Sequence, residues 1–204
     1  MVEEEMTVSI KIESNVKELN KKLGMFQKKH MPEIVSESIN EVGVKSVNAM
    51  RAQLLKKLDK PTKFTYTGVK LFKAKARDLS ALVFIPDIQA KYLKRQFEGG
   101  MRTPERNKIP VPVDKGKINA FGNIKGKRSG LIKRSTEFMG NVKGIDGVWR
   151  RTGGKRNPKL KLIVALESSV FYRKRIEFYK TVTGVVQKNM DKILNKNLRR
   201  VVGK

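Results

Sequence analysis

The sequence holds no cysteine and one histidine, His30, which excludes a disulfide framework, a thiolate nucleophile, a histidine-based triad and a cysteine or multi-histidine zinc site. Acidic residues are scarce, 19 Asp and Glu against 46 Lys and Arg. Those that could build a carboxylate-only metal site, Asp78, Asp87, Glu98, Glu105 and Asp114, stand singly, each with a local reason such as a turn or a cap. No metal, no other cofactor and no enzymatic activity are therefore expected. A Gly-rich loop ending in Lys-Ser or Lys-Thr is missing, as is GxGxxG, so nucleotide hydrolysis and dinucleotide binding have no anchor. No apolar run approaches the ~18 residues needed to span a bilayer. Met1-Val-Glu-Glu-Glu is acidic where a secretory signal would be basic and then apolar, so synthesis in the cytoplasm without a membrane partner is expected. Aromatic residues are few, and Phe97, Phe121 and Trp149, which could stack on nucleobases, are expected to serve packing.

What is abundant is positive charge. A formal charge of +27 on 204 residues far exceeds what solubility requires and would repel itself unless a polyanion or an acidic partner lay close. The charge is uneven: Ile88 to Lys161 carries 20 basic residues against 5 acidic ones, more than half the net charge on about a third of the chain. The length and a hydrophobic fraction of 39% suit one α+β domain, residues 1–204, with a projecting basic loop at about 114–145.

Read in order, Met6, Val8, Ile10 and Ile12 alternate with polar residues as in a strand with one buried face. Asn15 and Glu18 form a capping box ahead of Val16, Leu19, Leu23 and Phe26 at helical spacing. Pro32 suits the first turn of a separate helix, Glu33 to about Leu58, with Val35, Ile39, Val42, Val47, Met50, Leu54 and Leu58 on one stripe that reads as core. After the break at Asp59-Lys-Pro61-Thr, a strand from Thr65 to Lys75 pairs through a turn at Arg77-Asp78 with Leu79–Ile85. That second segment is apolar on both parities and should be covered on both faces.

Pro86 ends the strand, Asp87 stands at an N-cap position, Ile88, Tyr92 and Leu93 share a helical face, and Gly99-Gly100 supplies a left-handed stop. Ile109-Pro-Val-Pro-Val113 reads as a strand that its prolines confine to an edge. Lys115 to about Gly144 is glycine-rich, basic and aperiodic, a long loop. Ile145–Arg151 and Leu160–Leu166 form a hairpin, and Arg175–Val202 is a helix with Tyr179, Val182, Val186, Met190, Ile193, Leu194 and Leu198 on its apolar stripe. The whole is a mainly antiparallel sheet of four to six strands covered by two long helices.

Asp87-Ile-Gln-Ala-Lys-Tyr-Leu, Gly99-Gly100-Met-Arg, Ile109-Pro-Val-Pro-Val, Asn119-Ala-Phe-Gly-Asn, Gly147-Val-Trp-Arg-Arg-Thr-Gly and Lys159-Leu-Lys-Leu-Ile-Val-Ala-Leu follow one another in the chain. In that order, over roughly residues 30 to 202, they resemble the minor tail and tail-completion proteins of tailed bacteriophages, the group that includes minor tail protein Z. The resemblance implies a non-enzymatic virion component at the head-proximal end of the tail, a neck or head-tail joining protein present as a homo-oligomeric ring. Its partners would be other tail, neck and connector proteins and, within the channel, genomic DNA. The Asp87–Arg102 stretch and Trp149 would be scaffold.

Lys115, Lys117, Lys125, Lys127, Arg128, Lys133, Arg134, Arg150, Arg151, Lys155 and Arg156 lie in glycine-rich backbone, which can offer main-chain N–H groups as well as cations to phosphates. They are the expected contact residues, for acidic loops of neighbouring subunits first and DNA second. The alternative is a free, sequence-independent nucleic-acid-binding protein, for which net charge is the support.

Overall fold

A computed structural model describes residues 9–13, 25–104, 108–125, 132, 135–154, 156–157 and 159–202. The fold is α+β and its sheets are antiparallel, as expected, but the strands divide among three sheets. The chain divides into two compact units: unit 1 comprises 1–97 and 175–204, and unit 2 comprises 98–174.

Unit 1 is built on two long helices, α1 (Met25–Lys57) and, last in the chain, α4 (Phe178–Val202). The predicted stripe of α1 is its buried face, with Val35, Ile39, Val42, Val47, Met50 and Leu54 all 6% exposed or less and Leu58 half-buried against them. Pro32 does not separate two helices; α1 runs through it. Proline removes one intrahelical hydrogen bond there, and burial of Met31, Ile34 and Val35 on either side outweighs that loss. The capping box at Asn15 and Glu18, Met6 and Val8 lie outside the described residues.

The two helices run antiparallel. Asn197 donates to the Ser38 hydroxyl at 2.9 Å, and Ser38 donates to the Ile34 carbonyl at 2.7 Å, so a buried polar pair is satisfied within the seam. Lys196 pairs with Glu41, and Arg200 with Glu37, along its exposed margin. Val182 and Ile193 are buried, while Val186, Met190, Leu194 and Leu198 are half-buried against the core. Tyr179, placed by its spacing on the apolar stripe, is 58% exposed; the helix begins at Phe178, which takes the core position and meets Phe97 edge to face at 6.1 Å.

A three-stranded sheet packs against α1 in the order β1-β3-β2, formed by β1 (Ser9–Glu13), β2 (Lys70–Phe72) and β3 (Ser80–Phe84). The apolar run is the central strand, with Ala81, Val83 and Ile85 buried and Leu82 and Phe84 half-buried. The strand expected over Thr65–Lys75 is shorter because Thr62 caps a single helical turn, α2 (Lys63–Tyr66), its hydroxyl accepting from the Thr65 N–H at 3.3 Å. The turn lies at Lys75–Asp78, whose main chains exchange two hydrogen bonds of 2.9 Å. Asn40 extends this edge: its side chain donates to the Ala74 carbonyl at 3.0 Å and accepts from the Ala74 N–H at 2.8 Å, as a neighbouring strand would. Gly43 lets α1 approach β2, since a Cβ there would lie 2.7 Å from Leu71.

Helix α3 (Asp87–Glu98) follows β3 and ends at Gly99, φ +78°, and Gly100, φ +95°. Asp87 lies within its first turn, because the Pro86 carbonyl accepts from the Gln89 and Ala90 N–H groups. Its buried face is Gln89, Ala90, Leu93 and Phe97; Ile88 and Tyr92, expected on that face, are exposed.

Unit 2 opens and closes with a two-stranded ladder, β4 (Gly100–Arg102) against β9 (Val170–Tyr172). Between them β5 (Ile109–Pro112), β6 (Glu137–Val142), β7 (Ile145–Thr152) and β8 (Lys159–Glu167) form a sheet ordered β5-β8-β7-β6. The proline strand β5 is at an edge, and β7 and β8 are the predicted hairpin. Ile163 is an extra residue in β8, opposite the Val148–Trp149 step, and its carbonyl accepts from both Val113 and Asp114 at 3.0 Å. Among the described residues the apolar core of this unit is Val148, Ile163 and Val164, with Ile124 packed on it.

The segment read as a long loop is largely structured. Residues 137–142 are β6, joined to β7 by Lys143, φ 53°, and Gly144, φ +80°, the left-handed pair of a tight hairpin turn. Lys115–Lys117 is a 3-10 turn, and Ile118 bridges Ile124 around Gly122.

Candidate functional site

Two of the expected contact residues, Lys117 and Arg150, meet two carboxylates at one end of the four-stranded sheet. Asp114 leaves β5 and caps the 3-10 turn by accepting from the Gly116 N–H at 3.0 Å. Glu137 opens β6 opposite Arg150 of β7, and Arg150 lies opposite Lys161 of β8, so the pleat sets the three side chains in a row on one face.

The Glu137 side chain is fully buried. It accepts from Lys117 Nζ at 2.7 Å and from Arg150 Nη2 and Nε at 2.8 and 3.2 Å. Arg150 also reaches Asp114 at 3.4 Å, and Lys161 reaches Asp114 at 3.5 Å. Three cations and two carboxylates thus form one network, with the buried members hydrogen-bonded, as burial of charge requires. The Asp114 carboxyl is held below its ordinary value of 3.8, first by the Gly116 N–H, against partial desolvation, with Lys161 and Arg150 adding attraction. At the opposite end of β7, Lys108 and Asn141 both donate to Asp146, and these hydrogen bonds, Lys108 first, lower its pKa.

This arrangement sorts the expected contact residues. Lys117, 7% exposed, and Arg150 belong to the network and are withdrawn from the contact surface: their charge is spent on Glu137 and Asp114. Lys115, Lys125, Arg151 and Arg156 are exposed and within 4.0 Å of no carboxylate among the described residues. Lys115 lies on the 3-10 turn and Lys125 is tied to it, its N–H donating to the Lys117 carbonyl at 2.9 Å. Arg151 lies on the other face of β7, its guanidinium 4.5 Å from the centre of the Phe138 ring. Lys127, Arg128, Lys133, Arg134 and Lys155 lie outside the described residues. Lys143 and Lys159, exposed and likewise without a carboxylate partner, extend the set.

Of the aromatics considered for stacking, Phe97 and Trp149 are each 8% exposed and serve packing; Phe121, at the tip of the 118–124 turn, is 48% exposed. Glu137, Asp114 and Lys161 were the members that sequence reasoning missed as a group. A lone glutamate between long basic stretches was the available signal, because an isolated acid in such surroundings is where cations converge.

Chemically, the site can hold anionic groups by the charge of its exposed cations; the N–H groups of Gly116, Lys117, Ile118, Phe121 and Lys125 are bonded within the turn. Among the described residues no cluster of His, Cys, Asp and Glu could hold a metal ion, and no helix is long and apolar enough to cross a membrane. Comparison with protein-family models, with curated proteins and with solved structures finds no match.

Proposed function

We propose that this chain is a structural virion protein of a tailed bacteriophage, a minor tail or tail-completion component at the head-tail junction, assembling as a ring. The observation that carries the reading is the ordered resemblance over roughly residues 30 to 202. Unit 2 presents exposed cations, Lys115, Lys125, Arg151, Arg156 and Lys159, while three of its acids, Asp114, Glu137 and Asp146, are engaged internally. In the ring these cations face the acidic loops of neighbouring tail, neck or connector subunits, or the genome in the channel.

The test is replacement of Lys125, Lys127 and Arg128 with Glu. Infectious particles should fall while heads and tails accumulate unjoined and the purified protein keeps its fold by circular dichroism. Normal yields would overturn the reading.

The net charge of +27 favours a second reading, a free sequence-independent nucleic-acid-binding protein. In that case a monomer binds random duplex DNA with a steep salt slope, and replacing Lys115 and Lys125 with Glu lowers that slope by about two.

A further inference from the structure

Among the described residues, the packing of unit 1 leaves an apolar patch exposed. The buried side of α3 is accounted for by Ala90, Leu93 and Phe97, yet on the other side Ile88 is 70% exposed and Tyr92 47%. The Tyr92 hydroxyl donates to Thr65 Oγ1 at 3.1 Å, which ties the ring to α2, where the neighbouring Phe64 is 55% exposed. Lys91 and Arg95 share the stripe of Ile88 and Tyr92 by helical spacing, and Lys63 precedes Phe64. The surface therefore has an apolar centre and a cationic rim. Phosphates would gain nothing from an isoleucine at the centre; an acidic segment with apolar side chains of its own would satisfy both parts.

The chain contains one such segment. Glu3, Glu4 and Glu5 are its only adjacent acidic residues, and Met1, Val2 and Met6 flank them. The strand that follows, β1, pairs Ser9 with Phe84, three residues before α3 begins, so β1 starts at the end of its sheet where the patch lies. Eight residues span at most about 29 Å. We infer that the Phe64, Ile88 and Tyr92 patch is a docking site for residues 1–8 of a second copy of this chain. Such a contact is head-to-tail, the kind that closes into rings. The inference rests on the ring reading proposed above and supplies one of its interfaces.

The absence of cysteine makes a direct test available. Chains carrying Glu5→Cys are mixed under mild oxidation with chains carrying Lys91→Cys, and separately with chains carrying Lys188→Cys, an exposed position on α4. The expected result is a mixed disulfide with Lys91→Cys at least about tenfold above that with Lys188→Cys, abolished by Ile88→Asp in the acceptor chain. Its complement is a charge swap: Glu3, Glu4 and Glu5 replaced with Lys should weaken self-association measured by sedimentation, and Lys63→Glu with Lys91→Glu in the same chain should restore it. Equal yields at the two positions, a disulfide formed only within a chain carrying both cysteines, or no restoration by the swap would overturn the inference. Single-stranded DNA bound to the wild-type patch and lost with Ile88→Asp would overturn it in favour of nucleic acid. Failure here leaves the virion reading to its own test, since that test reads particle yields from changes confined to unit 2.

Discussion

The two units solve the same problem by different means. Unit 1 gathers 18 buried apolar residues, from α1, α3, α4, the central strand and the segments beside them, into one core, whereas the described core of unit 2 holds three. Unit 2 compensates with the ion network on Glu137 and Asp114, placed where β5, β6, β7 and β8 must be held in register. Its composition explains the choice: 19 basic residues against 6 acidic ones in 98–174 leave few ways to assemble a sheet without neutralising some charge inside it. Basic residues in such a protein are therefore of two kinds, and burial separates those that hold the scaffold from those that face outward.

The largest effect that would test this contrast is Glu137→Ala. Removing a fully buried carboxylate strands Lys117 and Arg150, and unit 2 should lose about 3 to 5 kcal/mol, with faster amide exchange in β6 and β7 and unchanged exchange in α1. The paired change Lys117→Met with Glu137→Leu should recover most of that loss; if it does not, the network is more than a solution to burying charge. In unit 1, Leu54→Ala opens a cavity at a fully buried position and should cost about 2 to 5 kcal/mol, read in the exchange of α1 and α4. A smaller effect is expected from Gly153→Ala: φ is +88° and a Cβ would lie 2.3 Å from the Asn157 carbonyl oxygen, so the β7–β8 turn should lose about 1 to 3 kcal/mol.

Smallest is the acid response. Asp114 and Asp146 have folded-state values below 3.8, so their stabilisation is complete above that value and is lost as pH falls through the lowered folded values. Exchange in the β6–β7 turn should rise on acidification, and Asp146→Asn should remove its part of that response.

Much of unit 1 was legible because its signals are long. The α1 stripe spans seven apolar positions, and the apolar strand announced its central place by lacking polar residues. Where the sequence misled, tertiary contacts overrode local preference: Pro32 sits inside α1 because Met31 and Ile34 are buried, and Ile88 and Tyr92 lie outside the α3 core face because Gln89 and Ala90 occupy it. In unit 2, β6 was hidden by Gly140 and by a turn whose first left-handed residue is lysine. The cationic character of the site was readable; which cations are internal was not, because that depends on pairing Glu137 with Arg150 and Arg150 with Lys161 across three strands.

The seam between α1 and α4 joins residues 159 positions apart, as at Ser38 and Asn197. On a ribosome adding roughly 5 to 20 residues per second, the first helix waits on the order of 10 to 30 seconds for its mate. Unit 2, continuous in the chain, is complete before that mate emerges, and the part of the α1 face that α4 covers stays open in the meantime. Newly made chains should accordingly depend on chaperones that shield that part of the face until translation ends.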